Sequence, residues 1–422
     1  MKKIVIAGGG VTGLSAAVFL SKNNHQVELI EAAPLLGGRA RSFYDPQFGS
    51  EIDNGQHLLM GCYRETLKFL EETGGTDGLL IQDDLKIPFA EINGKITFLK
   101  SESKIYPFNL LSAILNFKII SFRERLSALN LFVKLIVTTE TDFRDRTVVE
   151  WLNENKQSRR ISDVLWEPLV VSTMNTHPEK ASAEIFIRVL KEVFLSGKKG
   201  SNLIIPKTGL SKLFVEKSVA LLEKRGVKIY CSEPVKKVIV EGNRAKSIST
   251  SKRGKIEFDE LVLAVPPHSL QKIEGLEKLF SPGSLEYQYS PIITVYLKIN
   301  NNHLTEPLYS IVESDIHWVF NHGEFISVVL SGADKWIDLS SEEIIDKTKE
   351  EVSQYLNLKQ GDLTSARVIK EKRATIVLNP EGMRKRKIRH PLRNLHIAGD
   401  WTDTGLPATI EGGIVSGRKI RI

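Results

Sequence analysis

The chain has 422 residues, 26% of them charged and 41% hydrophobic, which excludes a disordered or fibrous protein and allows a large buried core. Its 58 Lys and Arg exceed its 51 Asp and Glu for a net charge of +7, but the two signs are interspersed and no nucleic-acid motif with interleaved aromatics appears. Cys62 and Cys231 lie far apart, which excludes a disulfide framework or a cysteine-spaced metal site and points to a reducing cytoplasm.

The N-terminal "MKKIVIAGGGVTGLSAAVFL" places two lysines before an uncharged run, as a signal peptide does. Four glycines interrupt that run and a strand pattern follows at once, so it reads as folded structure of a cytoplasmic protein. No other apolar stretch is long enough to span a bilayer.

Lys3 to Ala7 reads as a short apolar strand, Thr12 to Ser21 as a small-residue helix, and "HQVELIEA" as a second strand ending on Glu31. From about 75 to 200 the pattern is mostly helical. "NLLSAILNFKII" and "SFRERLSALNLFVKLIV" are amphipathic, with a Ser121/Glu124 capping box opening the second, and Thr147/Glu150 opens another helix. "SAEIFIRVLKEVFLSG" is helical and stops at Gly197. Beyond Pro206 come a helix over 210–226, the strand "VKIYCS", and short strands with turns at Gly242 and Gly254. "PIITVYLKI", "IHWVFN" and "FISVVLSG" read as a second sheet, followed by a Ser340/Glu343-capped helix and a last buried strand, "NLHIAGD". The alternation predicts an α/β protein in which a Rossmann-type domain (1–75, 205–275 and 390–422) is interleaved with an α+β substrate domain (76–204 and 276–389).

Gly8-Gly9-Gly10-Val11-Thr12-Gly13 places G-x-G-x-x-G at a strand-to-helix turn. Gly8 permits the turn, Gly10 lets backbone approach a pyrophosphate, and Gly13 allows close packing of helix on strand. The phosphates then meet free amides at the helix start, and Glu31 stands where a ribose hydroxyl is accepted. Gly38 and Arg39 follow as a second approach to the phosphates, and Arg41 is either a further donor or a solvated charge. No Ser/His/Asp, zinc or Walker pattern competes, so no metal is expected.

These motifs, with "GGRARS" and the C-terminal "GDWTDTGLPATIEGG", resemble the flavin amine oxidase and phytoene desaturase superfamily. The resemblance implies FAD as cofactor. It places Ala32 and Val235 toward the adenine end, Gly399 and Asp400 at the ribityl or pyrophosphate region, and Gly55, Gln56, Ala408, Thr409 and Ile410 beside the flavin ring. "DNGQHLLMGCYRETLKFL", "EPLVVSTMNTHPEKASAEIF", "HWVFNHGE" and "KEKRATI" are similar to the hydroxysqualene dehydroxylase branch. That branch implies reductive dehydroxylation of a C30 isoprenoid, hydroxysqualene, to squalene. The alternatives are a carotenoid-type desaturase, a flavin amine oxidase, or a non-catalytic prenyl-lipid carrier. Asn321-His322 departs from the branch, which expects an acidic and a basic residue there, and the last helix is cut short at Ile422.

His57 is a candidate proton donor, since imidazole titrates near neutral pH; the alternative is a histidine satisfied by backbone. Glu411 is expected to partner amides at the start of its own helix, and His177 and Trp318 to line the substrate pocket. The apolar and basic pattern from Asn109 to Val137 suits an interfacial helix on a membrane surface, or else a core-facing pair. Oligomeric state stays open.

Overall fold

A computed structural model describes all 422 residues. Five parallel strands form one sheet in the order Lys228–Tyr230, Gln26–Ile30, Lys3–Ala7, Glu260–Leu263, Leu395–Ile397. Ile4, Val5 and Ile6 are fully buried, as a central parallel strand covered on both faces requires. Its neighbours lie to either side of the first strand, so the crevice at the end of Lys3–Ala7 is a topological switch point, where open α/β sheets bind ligands. The fold is α/β, a Rossmann-type domain interleaved with an α+β domain.

The second domain is built on a seven-stranded sheet: Leu363–Ile376, Tyr289–Ile299, Phe325–Ser331, Trp318–Asn321, Leu308–Ile311, Lys86–Ala90 and Ile96–Lys100. All its pairings are antiparallel except that of Leu308–Ile311 with Lys86–Ala90. Helices Phe108–Leu115, Phe122–Val137, Val148–Glu154, Glu167–Met174 and Ala183–Leu195 pack into a core with Trp151, Trp166 and Phe186. All three expected capping boxes form, at Ser121/Glu124, Thr147/Glu150 and Ser340/Glu343.

Two sequence readings are corrected. The stretch from 75 to 200 opens with strands, because Asn93 and Gly94, both at positive φ, turn Lys86–Ala90 back onto Ile96–Lys100. The helix expected through Ile120 ends at Leu115, since Phe117 and Ile120 leave the helical path to enter the core. The apolar stripe from Asn109 to Val137 divides: Leu110, Ile114 and Phe117 are core, and Phe132 packs on Trp166 and Phe194. Leu115, Phe122 and Leu126 stay exposed, joined by Phe108, Val133, Ile136 and Val137. No helix is long and apolar enough to cross a membrane.

Candidate functional site

The glycine turn begins where Lys3–Ala7 ends. A Cβ on Gly8 (φ 108°) would lie 2.3 Å from Ala264 O, and one on Gly13 would lie 1.8 Å from Gly8 O. Both positions therefore exclude a side chain sterically. Gly10 differs: its φ is −72° and a Cβ there would meet no protein atom within 4 Å. The helix it opens, Val11–Leu20, has no side-chain cap, and the amides of Gly10, Thr12 and Gly13 find no acceptor in the protein. Gly38 (φ 58°) lies beside Gly10, held by the Gly37 amide on Gly9 O at 2.8 Å, and the Gly38 and Arg39 amides are likewise unpaired.

Glu31 accepts from the Gly9 amide at 2.6 Å and the Ala33 amide at 2.7 Å, one on each oxygen, which fixes the carboxylate at the rim of the turn. The segment leading to Val235 is stitched to the same corner, with the Ser232 amide on Ala33 O and the Glu233 amide on Glu31 O, both at 2.9 Å. Ala32 is exposed there. The Arg41 guanidinium has no protein partner.

The C-terminal helix Ile410–Arg418 crosses the first helix closely. A Cβ on Gly417 would lie 2.4 Å from Thr12 O, and Ser15 Oγ donates to Ile414 O at 2.9 Å. Thr409 caps that helix by accepting from the Gly412 amide. Ahead of it, Asp400 pairs with Arg39 at 2.8 Å, and Arg39 also donates to Ala374 O. The amides of Asp400, Trp401 and Ala408 have no acceptor in the protein. Gly399 is obligatory because the Trp401 indole lies where its Cβ would be; that indole is buried and donates to Val265 O at 3.0 Å.

Two uncapped or amide-rich turns thus face each other, with Arg39 and Glu31 at their edges. An array of unpaired amides at a helix start, beside a position open to backbone approach, is the donor set a pyrophosphate needs. The residues present fit a flavin dinucleotide.

Gly55 sits over Thr294, and Gln56 accepts from Ser327 Oγ at 3.1 Å; Ser327 Oγ is also 3.0 Å from His322 Nε2. His57 Nδ1 lies 2.7 Å from Gly55 O, the backbone-satisfied arrangement, and burial pushes its pKa below the usual imidazole range. Asp53 accepts from Ser42 Oγ and the Leu210 amide, and burial pushes it up to about 6.

A cleft of about 220 Å³ opens beside this tail. Met60, Tyr63, Val189, Val193, Leu406 and Pro407 line it, and it reaches Thr409 and Glu411. Cys62 also lines it, its thiol pushed up to about 12 by burial and so not a thiolate at neutral pH.

Two expectations change here. Glu411 partners amides, but those of a different helix: it accepts from the Glu65 and Thr66 amides and Thr66 Oγ1, at the start of Arg64–Thr73. That helix has no cap of its own, and Thr409 already serves the C-terminal helix. His177 and Trp318 do not line this cleft; His177 bonds Gly332 O and faces Glu167, while the Trp318 indole donates to Ser172 Oγ. Tyr63, Arg188 and Arg386 carry no sequence signature and come to notice only through the fold.

A flavin-containing amine oxidoreductase family model matches residues 11–420. The chain belongs to that family. This flavin-containing amine oxidoreductase is an FAD-dependent oxidoreductase. It is 27% identical to a hydroxysqualene dehydroxylase of Sinorhizobium fredii, over 99% of this chain and 97% of that protein. It is 25% identical to a tomato (Solanum lycopersicum) 15-cis-phytoene desaturase, over 99% of this chain and 76% of that protein. Among solved structures, cyclohexylamine oxidase from Brevibacterium oxydans superposes with a TM-score of 0.73 at 15% identity, covering 99% and 97% of the two chains, a likeness of fold alone.

Proposed function

We propose that this oxidoreductase removes the hydroxyl of hydroxysqualene reductively, giving squalene. The observation that carries the reading is the end-to-end similarity to hydroxysqualene dehydroxylase, joined to an apolar cleft that runs up to the tail segment. The desaturase reading rests on lower identity, 25% against 27%. An amine oxidase would need an aromatic cage, whereas the Trp401 indole is turned away onto Val265 O.

In this reading Gly8, Gly10, Val11, Thr12, Gly13, Gly38 and Arg39 hold the pyrophosphate, and Glu31 the ribose. Ala32 and Val235 face the adenine, Gly399 and Asp400 the ribityl chain, and Gly55, Gln56, Thr409 and Ile410 the ring. The reduced cofactor supplies the hydride. The chain's own task is to bury the polyene beside it, exclude water, and let the hydroxyl leave protonated, so that the allylic carbon accepts hydride. His57 could deliver that proton only after uptake at Nε2, because Nδ1 is engaged with Gly55 O.

Anaerobically reduced protein incubated with hydroxysqualene should yield squalene, and the oxidised protein alone should not. Equal conversion by flavin-free protein would exclude the hydride step, and no conversion with reduced flavin would exclude the dehydroxylase reading.

We also propose reversible attachment to a membrane surface, where such a substrate resides. Exposed Phe108, Phe122, Leu126, Val133 and Ile136 are interspersed with exposed Lys118, Arg123 and Lys134, the pairing an interfacial helix needs. Co-sedimentation with anionic vesicles should weaken with salt and with Phe122→Ser; no binding at low salt excludes attachment.

A further inference from the structure

Arg386 is 1% exposed, yet no carboxylate lies within ion-pair distance of its guanidinium. All its strong bonds go to the loop after Asp400: it donates to Asp400 O at 2.8 Å and Thr402 O at 3.1 Å, and approaches Thr404 Oγ1 at 3.5 Å. Burial pushes it down to about 10, still charged at neutral pH. A buried charge with only carbonyl partners is expensive, and an apolar side chain of similar volume would fill the space at lower free energy. Its retention needs a reason beyond packing.

The same loop is gripped from a second direction. Arg188, on the helix Ala183–Leu195 whose Val189 and Val193 line the cleft, donates to Gly405 O at 3.0 Å. Lys419 donates to Thr404 O at 3.3 Å. The carbonyls of residues 400, 402, 404 and 405 therefore all turn to cations. The Asp400 carboxylate points the other way, to Arg39, and the Asp400 and Trp401 amides are left without an acceptor.

We infer that Arg386 and Arg188 are positioning residues for the cofactor: by holding the outer carbonyls of the 400–405 loop, they present Asp400 and the free loop amides to FAD. The inference rests on the assignment of that loop to the cofactor. A guanidinium fork can hold two carbonyls at once, which an ammonium cannot do with the same geometry.

The test is FAD titration of the apoprotein, with apoprotein melting recorded alongside. Arg386→Lys, which keeps the charge, should raise the FAD Kd about tenfold or more, the size of one charge-assisted hydrogen bond. Arg188→Met, at a half-buried site, should raise it less while leaving the apoprotein melting temperature unchanged. The double variant Arg386→Lys/Asp400→Ala should lose less than the sum of the two single losses, since both act through one loop. A Kd within twofold of wild type for both single arginine variants overturns the inference. So does strict additivity with Asp400→Ala, which a general structural role would give. If Arg386→Lys does not fold, Arg188→Met and its cycle with Asp400→Ala decide alone. Wild-type affinity in Asp400→Ala would instead sink the placement of the loop at the cofactor.

Discussion

Gly10→Val should leave the apoprotein folded at close to wild-type stability and remove FAD binding, with a loss in affinity of more than about 100-fold. The backbone at Gly10 has an ordinary negative φ, and a side chain there would project into space that holds no protein atom within 4 Å. The substitution therefore meets no protein obstacle in the apoprotein. That space is bounded by the unpaired amides of Thr12 and Gly13 and by Gly38, so a branched side chain keeps a pyrophosphate from reaching them. Gly13→Ala supplies the contrast. Its Cβ would stand 1.8 Å from Gly8 O, so the helix must move off the strand and the apoprotein itself should melt lower. Flavin absorbance after purification and apoprotein melting, measured on both variants, separate the two effects. Full flavin content in Gly10→Val would show that the turn is not the phosphate site.

The sequence reading was strongest where local chemistry suffices. A strand that ends in spaced glycines and a helix, closed by an acidic residue at the next strand end, declares its purpose within 31 residues, and the turn forms as expected. Capping boxes are equally local, and all three formed. The hairpin at Asn93-Gly94 goes unread, because helical periodicity dominates the rest of the 75–200 stretch. What sequence could not supply is the partner of a residue. Glu411 has the look of a residue serving its own helix start, and only the crossing of the tail over the chain's first 73 residues brings it to Thr66. Arg386 sits in the run Arg384-Lys385-Arg386-Lys387, where nothing in composition distinguishes the one guanidinium that is buried. The apolar residues of the 109–137 region divide between core and surface for a similar reason. Helical spacing names a face, whereas neighbours decide whether it is covered.

Glu411→Ala should be among the most destabilising single substitutions in the tail. The carboxylate is buried and accepts three hydrogen bonds at the start of Arg64–Thr73, a helix whose N-cap position, Tyr63, offers no side-chain cap. Alanine leaves the Glu65 and Thr66 amides without acceptors, and the Thr66 amide is buried. The expected loss is about 2–4 kcal/mol, from an absent cap plus an unsatisfied buried donor. Gln keeps one acceptor oxygen but turns an amide toward the other donors, so Glu411→Gln should fall between wild type and Ala. The consequence extends beyond stability. Tyr63 stands at the head of that helix and lines the cleft, as does Thr409. Releasing the helix start therefore shifts a wall of the cleft together with the cap of the C-terminal helix. Denaturant unfolding of the apoprotein checks the first effect, and FAD affinity of the folded fraction checks the second. Wild-type stability in Glu411→Ala would mean that water replaces the carboxylate at these amides, and that the tail is not what fixes the helix Arg64–Thr73.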